Sequence, residues 1–203
     1  FTFEFVDKAG NKGTAKAVVN NITTETSKVE IKYSTTQPTN KNVIATLTSN
    51  NNITITNNGG KNTYTFTKNG TFTFEYVDAS GNKKTATATV KNIDKTAPTA
   101  KVKYSTTTST NKNVIATLFD ASEEIKITNN GGKNTYTFTK NGTFTFEFVD
   151  KAGNKGTAKV IVNNINKVAP TAKVVYSTTK LTNKNVIATL TGLDKDITII
   201  NNG

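Results

Sequence analysis

A period of 71 to 72 residues runs through this 203-residue chain and constrains its fold more than any other feature. FTFEFVD begins at Phe1, FTFEYVD at Phe72 and FTFEFVD again at Phe144. A second landmark, TNKNVIATL, starts at Thr39, Thr110 and Thr182. Between the landmarks, ITNNGGKNTYTFTKNGTFTFE occupies residues 55–75 and recurs letter for letter at residues 127–147. A unit of that length is too long for a solenoid turn and suits one small domain per copy. The chain reads as a tandem array.

Within a copy the pattern is β throughout. The aromatics of Phe72-Thr-Phe-Glu-Tyr76 fall on alternate residues, as a half-buried strand requires. Val43, Ala45 and Leu47 form a second inward set, and Ala86, Ala88 and Val90 a third. Val102 with Tyr104, Ile125 with Ile127, and Tyr136 with Phe138 extend the pattern in the next copy. Asn69-Gly70 and Asn141-Gly142 carry the strongest short hairpin signal, and the AGN or SGN triplets at Ala9, Ser80 and Ala152 mark further turns. No window has a helical period. Six or seven short strands in each copy predict an all-β fold, a row of β-sandwiches of about 72 residues each. Phe72, Phe74, Tyr76, Tyr64 and Phe66 are expected to fill the first core. Phe144, Phe146, Phe148, Tyr136 and Phe138 are expected to fill the second.

Two of the three prolines sit in matching APTAKV runs at residues 97–102 and 169–174, where proline sets an extended lead into a first strand. The short polar segments before them, residues 92–96 and 164–168, are read as linkers, with an equivalent one at residues 21–26. These boundaries give the late half of a repeat at 1–23, whole repeats at 24–95 and 96–167, and the early half of a repeat at 168–203. Each half alone would leave strand edges unpaired. The chain is therefore expected to continue past both ends, the alternative being completion by a neighbouring copy into a filament.

Composition removes whole classes of chemistry. The chain has no Cys and no His, so it holds no disulfide, thiolate zinc site or Ser-His-Asp or Cys-His catalysis of its own. We expect no enzyme, no cofactor and no catalytic residue. The formal charge is +12, yet every basic residue is Lys, scattered singly, and Arg is absent. That is a solvated basic surface rather than a nucleic-acid footprint. No apolar run is long enough to span a membrane.

The APT lead, the YSTT–TNKNV stretch, the NGTFTFEF strand and the D-x-(A/S)-G-N turn together resemble bacterial immunoglobulin-like repeats of Gram-positive surface proteins and adhesins. The resemblance covers essentially the whole chain. It implies an Ig-like sandwich in an extracellular, cell-surface setting, where such repeats act as stalk or spacer between a wall anchor and a distal module. Its partners would be neighbouring repeats of the same or an adjacent chain. The alternative is an adhesive module for a wall polymer, a glycan or a host protein.

Four residue groups are candidates for chemistry. Asp94, Asp150 and either Asp120 or Glu123 are hard-oxygen donors that would suit Ca²⁺ if they met at a joint. At other joints the matching positions are Thr23, Asn166 and Ser49, and Asp78 has only Glu25 for an acidic neighbour, so no metal is assigned. The competing reading is that each Asp starts a turn by accepting backbone amides. Self-made Lys–Asn or Thr–Gln crosslinks fare worse, since the one Gln is Gln37 and Glu75 and Glu147 face solvent. The runs Thr63, Thr65, Thr67 and Thr135, Thr137, Thr139 read as a wet β face, and Phe119 is the one aromatic expected outside the inward pattern.

Overall fold

The computed structural model describes residues 1–20, 27–194 and 197–200. The linker expected at residues 21–26, with Thr23 and Glu25, lies outside the described residues, as do residues 195, 196 and 201–203. The protein is all-β, and among the described residues the only helical turns are Asn58–Gly60 and Asn130–Gly132. It divides into two compact units, Phe1–Thr96 with Lys151–Asn154, and Ala97–Asp150 with Lys155–Gly203.

The first unit opens with a hairpin of β1 (Thr2–Val6) and β2 (Lys12–Lys16), whose residues are mostly exposed. Two three-stranded antiparallel sheets follow. One has the order β3 (Val29–Tyr33), β4 (Val43–Ser49), β6 (Thr63–Phe66); the other has β5 (Thr54–Ile55), β7 (Gly70–Val77), β8 (Lys83–Val90). Between them lies a core of Val43, Ala45, Leu47, Phe66, Phe74, Tyr76, Ala88, Val90 and Ile93.

The second unit repeats this design. One sheet is β9 (Lys101–Tyr104), β10 (Val114–Phe119) and β12 (Thr135–Phe138), with β10 central. The other is β11 (Lys126–Ile127), β13 (Gly142–Val149) and β14 (Lys155–Val162), with β13 central. A hairpin of β15 (Lys173–Tyr176) and β16 (Ala188–Thr191) comes last.

Register explains how rings this large fit into sandwiches this small. Phe72 pairs with Ala88 and Phe74 with Ala86, so each ring faces a short side chain across the strand pair. In the second unit Phe146 pairs with Ala158 and Phe148 with Gly156. Each buried ring contributes roughly 1.5–3 kcal/mol. Of the predicted core, Phe66, Phe74, Tyr76, Phe138, Phe146 and Phe148 are buried. The remaining four rings are half-buried and tie one sheet to the other: Tyr64 on β6 stacks on Phe72 of β7 with centroids 3.8 Å apart, and Tyr136 stacks on Phe144 at 3.9 Å.

The expected Asn-Gly hairpins are not hairpins. Asn69-Gly70 links β6 to β7, which belong to different sheets, and neither residue takes the positive φ of a two-residue hairpin. The left-handed turn lies earlier, at Asn58 (φ 53°) and Gly59 (φ 61°), and repeats at Asn130 and Gly131. Asn58 tolerates that backbone because its Nδ2 donates to the carbonyls of Lys61 and Thr63 at 2.9 and 2.8 Å.

Candidate functional site

Chemistry-bearing side chains gather at two places in each sandwich, and both are built by short polar residues acting on backbone. The first is the turn joining the last two long strands. Asp78 follows β7, and its Oδ1 accepts the backbone N–H groups of Ser80 (3.0 Å) and Asn82 (2.9 Å). Its Oδ2 receives the Lys84 ammonium at 2.9 Å and the Asn82 side-chain amide at 3.3 Å. The turn closes through Gly81 at φ 82°, a conformation that favours glycine. Asp7 makes the same bonds to Ala9 and Asn11. Asp78 and Asp7 therefore start turns by accepting backbone amides.

This arrangement has a pH consequence. The Asn82 amide, followed by Lys84, holds the Asp78 carboxyl down to about 2, below the ordinary 3.8. A folded-state value below the unfolded one stabilises the fold fully above the unfolded value, and that contribution is lost as pH falls toward the folded one. The first sandwich is expected to lose stability between about pH 4 and pH 2 through this group. Urea midpoints measured from pH 6 to pH 2 should show a shallower acid limb in Asp78→Asn than in the wild type. Equal slopes would exclude Asp78 as the titrating group.

The second place is the segment that leaves each sandwich. Residues 92–94, expected to be linker, are instead fastened to the domain on both edges. On one edge Thr39 forms a parallel bridge with Ile93: the Thr39 N–H donates to the Asn92 carbonyl and the Asp94 N–H to the Thr39 carbonyl, both at 2.9 Å. On the other edge the Asn69 side chain acts as a stub of strand. The Ile93 N–H donates to Asn69 Oδ1 at 2.8 Å, and Asn69 Nδ2 donates to the Ile93 carbonyl at 2.9 Å. Asn92 Nδ2 reaches the carbonyls of Thr35 and Gln37 at 3.3 and 2.7 Å. Ile93 points into the core.

The same contacts recur in the second unit. Thr110 bridges Ile165, Asn141 holds both backbone groups of Ile165 at 2.8 and 2.9 Å, and Asn164 Nδ2 reaches the carbonyls of Thr106 and Thr108. In the sequence Asn69 and Asn141 look like turn formers and nothing more. Their partners lie 24 residues ahead, beyond the reach of any local pattern.

The candidate metal donors are divided between the units. Asp94 is in the first, where its Oδ1 accepts the Thr96 N–H at 2.9 Å. In the second, Asp120 pairs with Lys101 at 2.8 Å on the exposed surface and holds that ammonium above the usual lysine range. The carboxylates that approach each other there are Glu123 and Asp150, within 4.8 Å. Glu75 and Glu147 are exposed, as are the alternating threonines of β6 and β12. Phe119 is exposed, with the Lys103 ammonium 5.4 Å from its ring centre.

A surface depression in the first unit, about 750 Å³, is open and lined by residues such as Asn51, Ile53, Lys61 and Asn62. Its lining contains no carboxylate and no aromatic ring. Among the described residues no helix is long and apolar enough to cross a membrane. No protein-family model matches this chain, and no curated protein matches it.

Proposed function

We propose that this chain is a run of structural spacer repeats, immunoglobulin-like in kind, from an exported bacterial cell-surface protein. The observation that carries this reading is repetition of contacts. The exit fastening, the stacked Tyr–Phe pair and the aromatic strand recur at equivalent positions with nearly equal distances. Invested in fasteners rather than in convergent catalytic groups, the sequence suits a part that is copied to add length. A strand of eight residues covers about 25 Å, so each added copy extends reach without new chemistry.

The test is accessibility on the cell. Antibodies to the purified chain are expected to label intact cells of the encoding bacterium, and external protease is expected to remove the signal. Labelling only after lysis would refute the surface assignment. The second reading, adhesion to a wall polymer, glycan or host protein, is favoured by Phe119, an exposed ring of the type that stacks on sugars. Saturable pull-down on purified wall or host matrix, lost in Phe119→Ala, would establish it in place of the spacer reading.

A further inference from the structure

The fastening of residues 92–94 has a direction as well as a strength. Thr39 and Ile93 run parallel, and the Tyr33 hydroxyl at the end of β3 accepts the Thr89 N–H of β8 at 3.0 Å. The first strand of the repeat, β3, finishes beside the finish of the last, β8, so the chain comes in at one end of the sandwich and leaves at the other. Tension applied through the flanking chain therefore slides the exit segment along its partners. Bonds loaded that way resist together, whereas a hairpin pulled open from its end gives up one bond at a time.

The partners also come from both sheets. Thr39 lies between β3 and β4 of one sheet, while Asn69 sits next to the first residue of β7, the central strand of the other. Asparagine suits this position because its amide offers one acceptor and one donor group with the geometry of a peptide unit. Alanine offers neither, and ionised aspartate offers no donor.

We propose that Asn69 and Thr39 with residues 92–94, and Asn141 and Thr110 with residues 164–166, are tension-bearing latches that let each repeat carry force along the chain. The proposal rests on the spacer reading for its biological setting but not for its mechanics. Its occupant and its load path are both within one repeat.

Single-molecule pulling on the full chain, with handles at its two ends, tests it. Two unfolding events of similar force are expected from the two sandwiches. Asn69→Ala should make the first sandwich unfold on the order of tenfold faster under constant load, since it loses both bonds to Ile93. The second sandwich is the internal reference, and Asn69→Asp should show part of the same loss. Because the chain has no cysteine, a further measurement avoids the latch substitution altogether. Handles at Lys28→Cys and Thr96→Cys load the latch, while handles at Lys28→Cys and Lys61→Cys bypass it. The bypassing path is expected to give way at lower force. Equal forces along the two paths, or an Asn69→Ala event at wild-type force, would overturn the proposal. Absence of the protein from the cell surface would remove the spacer reading and leave these forces unchanged.

Discussion

Phe146→Ala is expected to remove most of the stability of the second sandwich and leave the first untouched. Phe146 is fully buried, faces Ala158 across the strand pair and meets the edge of Phe144 with centroids 5.0 Å apart. Truncating a buried Phe to Ala costs about 3–5 kcal/mol, because neighbouring side chains fill only part of the cavity. A domain of about 70 residues has only about 4–10 kcal/mol in total. Urea denaturation of the variant should separate into two transitions, one at the wild-type midpoint and one far below it. A single transition at the wild-type midpoint would show that the ring is dispensable.

Gly156→Ala is expected to cost about 1–3 kcal/mol, a large amount for a single added methyl. Gly156 is buried on β14 opposite Phe148, whose ring lies across it. An added Cβ would collide with that ring on one side and with the Pro98 carbonyl oxygen on the other. The ring is itself buried and the carbonyl belongs to the backbone, so neither yields freely. Gly142→Ala on β13 is the matched control: its Cβ would meet open space, and the change should stay within about 0.5 kcal/mol. Thermal melts of the two variants decide the matter, and equal melting temperatures would mean the strand pair absorbs the methyl.

These two predictions separate what was legible in the sequence from what was not. The placement of Phe74, Tyr76, Phe146 and Phe148 indoors, with Glu75 and Glu147 outdoors, follows from strict alternation along one strand. So does the inward set Val43, Ala45 and Leu47. Alternation is local, and a local pattern suffices to read it. The constraint on Gly156 is not local, since Pro98 arrives from 58 residues earlier, 156 less 98. Asn69-Gly70 failed as a hairpin signal for a related reason. The dipeptide marks a change of direction equally well when the chain crosses between sheets, and only the pairing of β6 and β7 with different partners tells the two cases apart. Among the candidate acids, residue type and turn context identified Asp78 as a turn former. No spacing rule announced that Lys84 would meet it.

The Lys84 and Gly156 positions also bear on refolding. Tandem copies with long stretches of identical sequence are prone to exchange strands, one copy lending a strand to its neighbour's core. Here the last long strand differs where it matters. A β8 inserted in the second core would bring Lys84 to the place of Gly156, under the Phe148 ring and against the Pro98 carbonyl. A β14 inserted in the first would leave the buried Asp78 carboxylate without its cation. Each core thus penalises the other's strand, and copies that share most of their letters still discriminate self from neighbour.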